Sequence, residues 1–312
     1  MARISQESNR LFILCLLVAG LLLFPSCSEN LISRIEFNHP GGSFDQEINT
    51  AEARESFSFL VLSDIHFGRT EEGVYWAFDQ FDDWLAGYPS PLAFALHLGD
   101  GTAYSLESEY QAYAAFMQRL PMNGHAVLGN HDVRADGRSL FTQYIDPHTA
   151  RRFSYNGISF YLLDTGNASL GKVQLDNLMD AAASDPNPKV FCGHVPLYGG
   201  PDMFYFSLKD PHERALLVDT MVKNKVGLYL GGHLHLTHKV YQYADTTHEF
   251  VSESFHGRND LFENTLPVWY VFTYDAPSHS LTIVRYAVER DGTISESTVS
   301  TLPSPDLLSL QE

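Results

Sequence analysis

Five short blocks, LSDIHFG, HLGDG, LGNHD, CGHVP and GGHLH, carry seven side chains of metal-ligand type in a set order: Asp64 and His66, Asp100, Asn130, His194, then His233 with His235. Each block follows directly on an apolar, strand-like run. In α/β sheets, functional loops gather beyond the carboxyl ends of the strands. Such a chain folds so that five sequence-distant loops converge on one edge. Two carboxylates, one amide and four imidazoles suit a pair of first-row divalent ions, with Asp100 able to bridge them. His131 sits beside Asn130 without being needed as a ligand, which is where a proton donor would stand.

The rest of the chain supports that layout. Residues 57–62, 92–98, 125–128, 189–192 and 226–230 read as the strands feeding the five blocks. Helical spacing predicts helices over 74–85, behind Ser105 as N-cap, over 173–183 and over 212–223. Residues 153–164 read as a hairpin, with Asn156-Gly157 as its type I′ turn. Beyond residue 238 the pattern changes to strands without helices between them, at 239–244, 249–252, 268–274 and 280–287. Strand-then-helix followed by strands fits two sheets packed face to face with helices outside. Within the blocks, Asp64-Ile65-His66 and His233-Leu234-His235 are read as extended segments, so that each pair points the same way.

The N-terminus reads as a targeting segment. Arg3 and Arg10 precede an apolar run at 11–24, about 14 residues long and too short for a membrane span of about 20. Ser26 and Cys27 follow, as at a signal cleavage site. The stretch resembles a bacterial lipoprotein signal in which Cys27 takes the lipid, although Phe24 and Pro25 depart from the usual pattern. The predicted organisation is a leader at 1–26, a polar tether at 27–55 and one domain at 56–312. The expected location is outside the cytoplasm, membrane-anchored. Of three cysteines only Cys27 and Cys192 would remain in the mature chain, which makes no disulfide framework. A formal net charge of −18 excludes a general nucleic-acid binder.

Taken together, the five blocks resemble the calcineurin-like metallophosphoesterases over residues 57–240. The stretch LLDTG with Gln174, Leu175 and Leu178 is similar to the cyclic-nucleotide-phosphodiesterase-like branch. The resemblance implies a four-layer α/β/β/α sandwich of two mixed sheets, with the bimetal site at the strand carboxyl ends. It implies that Asp64, His66 and His235 hold one metal, that Asn130, His194 and His233 hold the other, and that Asp100 bridges. The metals would be two divalent ions, manganese, iron, zinc or cobalt. A metal-bound hydroxide would attack phosphorus in line, and His131 would protonate the leaving oxygen. The Asp-x-His first motif separates the chain from purple acid phosphatases, which lack that histidine. The expected activity is hydrolysis of a phosphorylated small molecule, with a phosphodiesterase favoured. A phosphomonoesterase or nucleotidase is the alternative, as is a metal-holding binding protein with little turnover.

One departure stands out. Family members usually carry Asp three residues after the Gly-Asp of the second motif, orienting the histidine; here that position is Ala103. Tyr104, Glu107 or Asp132 are the candidate substitutes, and His131 is expected to titrate low. Of the remaining candidates, His97 reads as a core histidine and Arg134 and Arg138 as loop charges within reach of a phosphate. His256-Gly257-Arg258 is a segment that could line the pocket. Tyr198, Phe204, Tyr205 and Phe206 form an aromatic set able to pack on a base or lipid group.

Overall fold

Alternation along Phe57–Leu62 sets the layering, because successive side chains in a strand point to opposite faces. Phe59 and Val61 join a core with Phe94, Phe160, Val190, Leu228 and Phe250, contributed by two different sheets. Leu60 and Leu62 turn the other way, into a second core with Phe81 and Phe116. The computed structural model describes residues 43–50, 54–245, 247–261 and 263–305. The leader read at 1–26, Cys27 and most of the tether lie outside the described residues.

The first sheet runs, in spatial order, Ile294–Pro303, Ser280–Val288, Val268–Asp275, Phe57–Leu62, Leu92–His97 and Asn123–Ala126. The second runs Arg151–Tyr155, Ile158–Leu162, Lys189–Cys192, Val226–Gly231, Thr247–Val251 and Lys239–Ala244. Both are mixed: in the first, Phe57–Leu62, Leu92–His97 and Asn123–Ala126 run parallel on one side and the remaining strands antiparallel on the other, whereas in the second a parallel centre is flanked by an antiparallel strand at each edge. Helices Phe78–Gly87 and Glu107–Arg119 cover the outer face of the first sheet through Phe81, Phe116 and Leu120. Helices Lys172–Ser184 and Pro211–Lys223 cover the second through Leu175, Leu178, Leu217 and Met221. The result is the α/β/β/α sandwich expected. Between the sheets Phe59 stacks on Phe94 at 4.9 Å and meets Phe160 edge-on at 5.8 Å. Each fully buried phenylalanine contributes roughly 1.5–3 kcal/mol.

The hairpin forms as read: Asn156 and Gly157 take φ of 50° and 70°, the positive pair a type I′ turn requires. Three expectations need correction. Residues 74–76 are a strand, Val74–Trp76, paired with His256–Asn259 in a small third sheet, and the helix starts only at Phe78. Pairing with a partner 180 residues away overrides the local helical spacing. Ser105 does not cap the following helix; its φ is 58° and its hydroxyl donates to the His131 carbonyl at 2.6 Å. Glu109 instead accepts from the backbone of Tyr104 and Leu106 at that helix start. Within the stretch read as a tether, Phe44 is buried against Tyr161, and Gln46 accepts from the Arg152 backbone. That part of the segment packs on the domain. The C-terminal strands, expected over 239–300, end in Ile294–Pro303, which closes the first sheet although its sequence ISESTVSTLP is polar.

Candidate metal centre

All five blocks emerge from strand carboxyl ends on one side of the sandwich. Asp64 follows Phe57–Leu62, Asp100 follows Leu92–His97, and Asn130 follows Asn123–Ala126. His194 follows Lys189–Cys192, and His233 follows Val226–Gly231. The two halves of the site come from different sheets, which is why it forms only when the sandwich closes.

The ligand segments are not extended. Asp64, His66, Asp100, His233 and His235 have φ of 56°, 54°, 56°, 73° and 58°. Non-glycine residues rarely adopt this region, and such conformations cluster at functional sites where surrounding contacts over-determine them. The contacts are present here. Asp64 and His66 donate their backbone N–H groups to the carbonyls of Gly99 and Asp100, both at 2.9 Å. The Asp64 carbonyl accepts from His256 Nδ1 at 2.8 Å, and the Ile65 carbonyl from Trp76 Nε1 at 2.6 Å. Gly129 and Gly232 are required by space: a methyl group at Gly129 would overlap the Asp100 carboxylate, and one at Gly232 the Ser63 hydroxyl that donates to the Asp64 carboxylate.

The side chains form two clusters that share Asp100. Ligand atoms of Asp64, His66, Asp100 and His235 lie within 4.8 Å of one another, as do those of Asp100, His194 and His233. His66 Nε2 is 3.0 Å from His235 Nε2 and 3.6 Å from Asp100 Oδ2. His235 Nε2 is 3.0 Å from Asp64 Oδ1. His194 Nδ1 donates to the Leu98 carbonyl at 2.7 Å, which turns Nε2 towards Asp100 Oδ2 and Asn130 Oδ1, both at 3.2 Å. Asp64, His66, Asp100 and His194 are buried, whereas Asn130, His131, His233 and His235 are half-buried. The open mouth lies on the side of those four.

The electrostatics ask for positive charge. Burial works against ionised His194, yet the Asp100 and Asp64 carboxylates outweigh it and raise its pKa to about 9. Burial likewise disfavours the Asp64 carboxylate, but His235 and His194 hold its pKa well below the usual range. Burial takes His66 and His233 down to about 4, leaving neutral imidazoles with lone pairs to offer. Neutral imidazoles facing ionised carboxylates are a donor set that fits a divalent cation. His66 Nδ1 is an exception to the usual outer support: it is buried with no hydrogen-bond partner among the described residues.

His131 is oriented by a route the sequence reading missed. Its Nδ1 donates to the backbone carbonyl of Ala103 at 2.7 Å. Thus the carbonyl at position 103 takes the place of the carboxylate expected there. Tyr104 and Glu107 point elsewhere, to Glu71 and Tyr144. Asp132 accepts from the backbone of Thr102 and Gly129, tying the second and third blocks together. Arg134 bridges the arrangement, donating to the Ala103 carbonyl at 3.1 Å and to His131 Nε2 at 3.2 Å. His131 does titrate low; burial is the largest cause, and Arg134 adds to it. Arg138, by contrast, forms a two-point ion pair with buried Asp164 and is structural.

His97 bonds to Tyr113 inside the core, as read. His256 has a larger part than pocket lining. Its ring lies 5.2 Å from His66 and 5.1 Å from His235, and its Nε2 accepts from Arg69 at 2.8 Å. Neither Arg69 nor Trp76 carries a local signal that could have revealed it.

The family model for calcineurin-like phosphoesterases matches residues 57–236. No curated protein matches the sequence. Among solved structures, purple acid phosphatase PPD1 from yellow lupin seeds is similar at TM-score 0.56 and 15% identity, covering 79% of this chain and 54% of that one. GAP50, the anchor in the inner membrane complex of Plasmodium, is similar at TM-score 0.54 and 16% identity, covering 80% and 89%. At such identities these two establish a shared fold. The chain belongs to the calcineurin-like phosphoesterase family, whose members are metal-dependent hydrolases of phosphate esters.

Proposed function

We propose that the chain is a binuclear phosphodiesterase of small-molecule substrates, exported and held at a membrane by a lipid on Cys27. The observation that carries the catalytic part is one site with two ligand clusters joined at Asp100 and His131 at its half-buried mouth. Asp64, His66 and His235 would hold one divalent ion, Asn130, His194 and His233 the other, and Asp100 both. Bound ions of the manganese, iron, zinc or cobalt type supply activation of a water and a clamp for the phosphoryl oxygens. They also bring four positive charges against the two carboxylates, so an anionic ester is attracted locally despite the net charge of −18.

This chain's own groups do the rest. Asp100 Oδ1 accepts from the His131 backbone at 2.7 Å, tying the proton donor to the shared ligand. The Ala103 carbonyl keeps the Nδ1 proton in place, so Nε2, which accepts from Arg134 in the neutral ring, is the atom that would take up a second proton and pass it to the leaving oxygen. Arg134, beside Nε2, is positioned to bond a phosphoryl oxygen once substrate is bound. The diester preference is supported by the LLDTG, Gln174 and Leu175 stretch, where Gln174 ties the Asp164 backbone to its helix. The N-terminal pattern of Arg3, Arg10 and Cys27 supports export and anchoring. Among the described residues, no helix is long and apolar enough to cross a membrane.

The test is a paired rate assay of the manganese-loaded full chain in detergent on bis-p-nitrophenyl phosphate and p-nitrophenyl phosphate, with Asp100→Asn as blank. Faster diester turnover, abolished in the blank, is expected. Monoester turnover alone would make it a phosphomonoesterase. Two bound metals with no rate on either ester would leave a metal-holding binding protein.

A further inference from the structure

The three consecutive aromatics that follow His194 serve different purposes. Phe204 is used by the loop itself: the Arg214 guanidinium lies 4.4 Å above its ring, and Tyr198 packs at 6.3 Å. Tyr205 is 90% exposed. Phe206 is half exposed, yet its ring centre is 6.1 Å from that of His233, a half-buried residue of the candidate centre. An apolar ring thus stands in solvent at the mouth of a polar site.

The loop is built to hold it there. The Ser207 hydroxyl donates to the Phe204 carbonyl at 2.6 Å and accepts from Arg214 at 2.7 Å. The Leu208 N–H donates to the Pro196 carbonyl at 2.9 Å, and Glu249 accepts from Leu197 at 2.6 Å. Gly200, at φ 98°, passes so close to the Tyr241 hydroxyl that a methyl group would collide. A fixed ring loses little freedom when a ligand packs on it, which is what makes an exposed aromatic a binding surface.

We infer that Phe206 is a specificity-determining residue that takes a planar aromatic group on the ester arm retained by phosphorus. The arm follows from the flanks of the centre. His131, the proton donor for the leaving arm, packs against His66 at 4.6 Å, in the cluster opposite to that of His233. Phe206 faces the other flank. This rests on the phosphodiesterase reading, and it adds the chemistry of the substrate.

The experiment compares phenyl p-nitrophenyl phosphate with methyl p-nitrophenyl phosphate, which share a leaving group and differ in the retained arm. The ratio of their kcat/KM values is measured for wild type, Phe206→Ala and Phe206→Trp; comparing ratios between variants cancels intrinsic reactivity. Ring-on-ring packing predicts a phenyl-to-methyl ratio about 3–10-fold higher in wild type than in Phe206→Ala, appearing in KM and retained in Phe206→Trp. An unchanged ratio in Phe206→Ala would overturn the inference. If wild type hydrolyses neither diester, the phosphodiesterase reading fails by itself. Binding of phenylphosphonate and methylphosphonate, followed by titration calorimetry on the manganese-loaded chain, then decides. Tighter binding of the phenyl compound that Phe206→Ala abolishes upholds the aromatic subsite, and equal affinities reject it.

Discussion

Glu249 offers a quantitative test of the packing that carries the aromatic loop. It is 0% exposed and accepts from Leu197 N, Tyr198 N and the Tyr243 hydroxyl. Burial raises its pKa from the usual 4.5 to about 7, and the three donors offset only part of that. A folded-state value above the unfolded one means that the native protein binds the extra proton. The associated stability is therefore complete below pH 4.5 and is lost as pH rises through 7. Retaining a proton across that interval is worth about 3 kcal/mol. Glu249→Gln keeps the shape and stays neutral throughout. Urea unfolding of both proteins at pH 5 and pH 8 should show wild type losing about 2.5 kcal/mol more than the variant between the two conditions. Equal losses would refute the argument and imply that Glu249 is ionised without strain.

Three further outcomes follow from the centre. His131→Ala should lower kcat about 10²–10⁴-fold for esters with alcohol leaving groups and far less for p-nitrophenolate, read as a steeper dependence of rate on leaving-group pKa. His256→Ala should weaken metal binding about 10–100-fold by removing the donor to the Asp64 carbonyl, whereas His256→Asn, whose amide N–H can replace Nδ1–H, should recover most of it in a metal titration. Gly129→Ala should displace the Asp100 carboxylate and abolish bound metal, measured by elemental analysis, while the far-ultraviolet circular dichroism stays that of the folded chain.

Legibility followed how local each cause was. Apolar runs ending at Asp64, Asp100, Asn130, His194 and His233 made both the strands and their convergence readable, because strand ends and ligand types are written in adjacent residues. The hairpin at Asn156-Gly157 was readable for the same reason, since the turn chemistry is contained in two side chains. Val74–Trp76 has helical spacing yet forms a strand, because its partner, His256–Asn259, is far away in sequence. Ser105 looked like a helix cap and instead holds the His131 backbone.

Asp64, Asp100, His194 and the paired histidines declared themselves by residue type and order, and that alone determined the family and the chemistry available. Only the tertiary structure decided how that chemistry is held. The orientation of His131 depends on the Ala103 carbonyl, a group every residue possesses and no letter of the sequence announces. The left-handed backbone at five of the seven candidate ligands exists because His256, Trp76 and neighbouring loops hold its carbonyls and amides. Phe206 faces His233 because a loop from one strand end lies against a loop from another. A side chain's identity fixes what it can bind; its direction is set by contacts that form only when the two sheets meet.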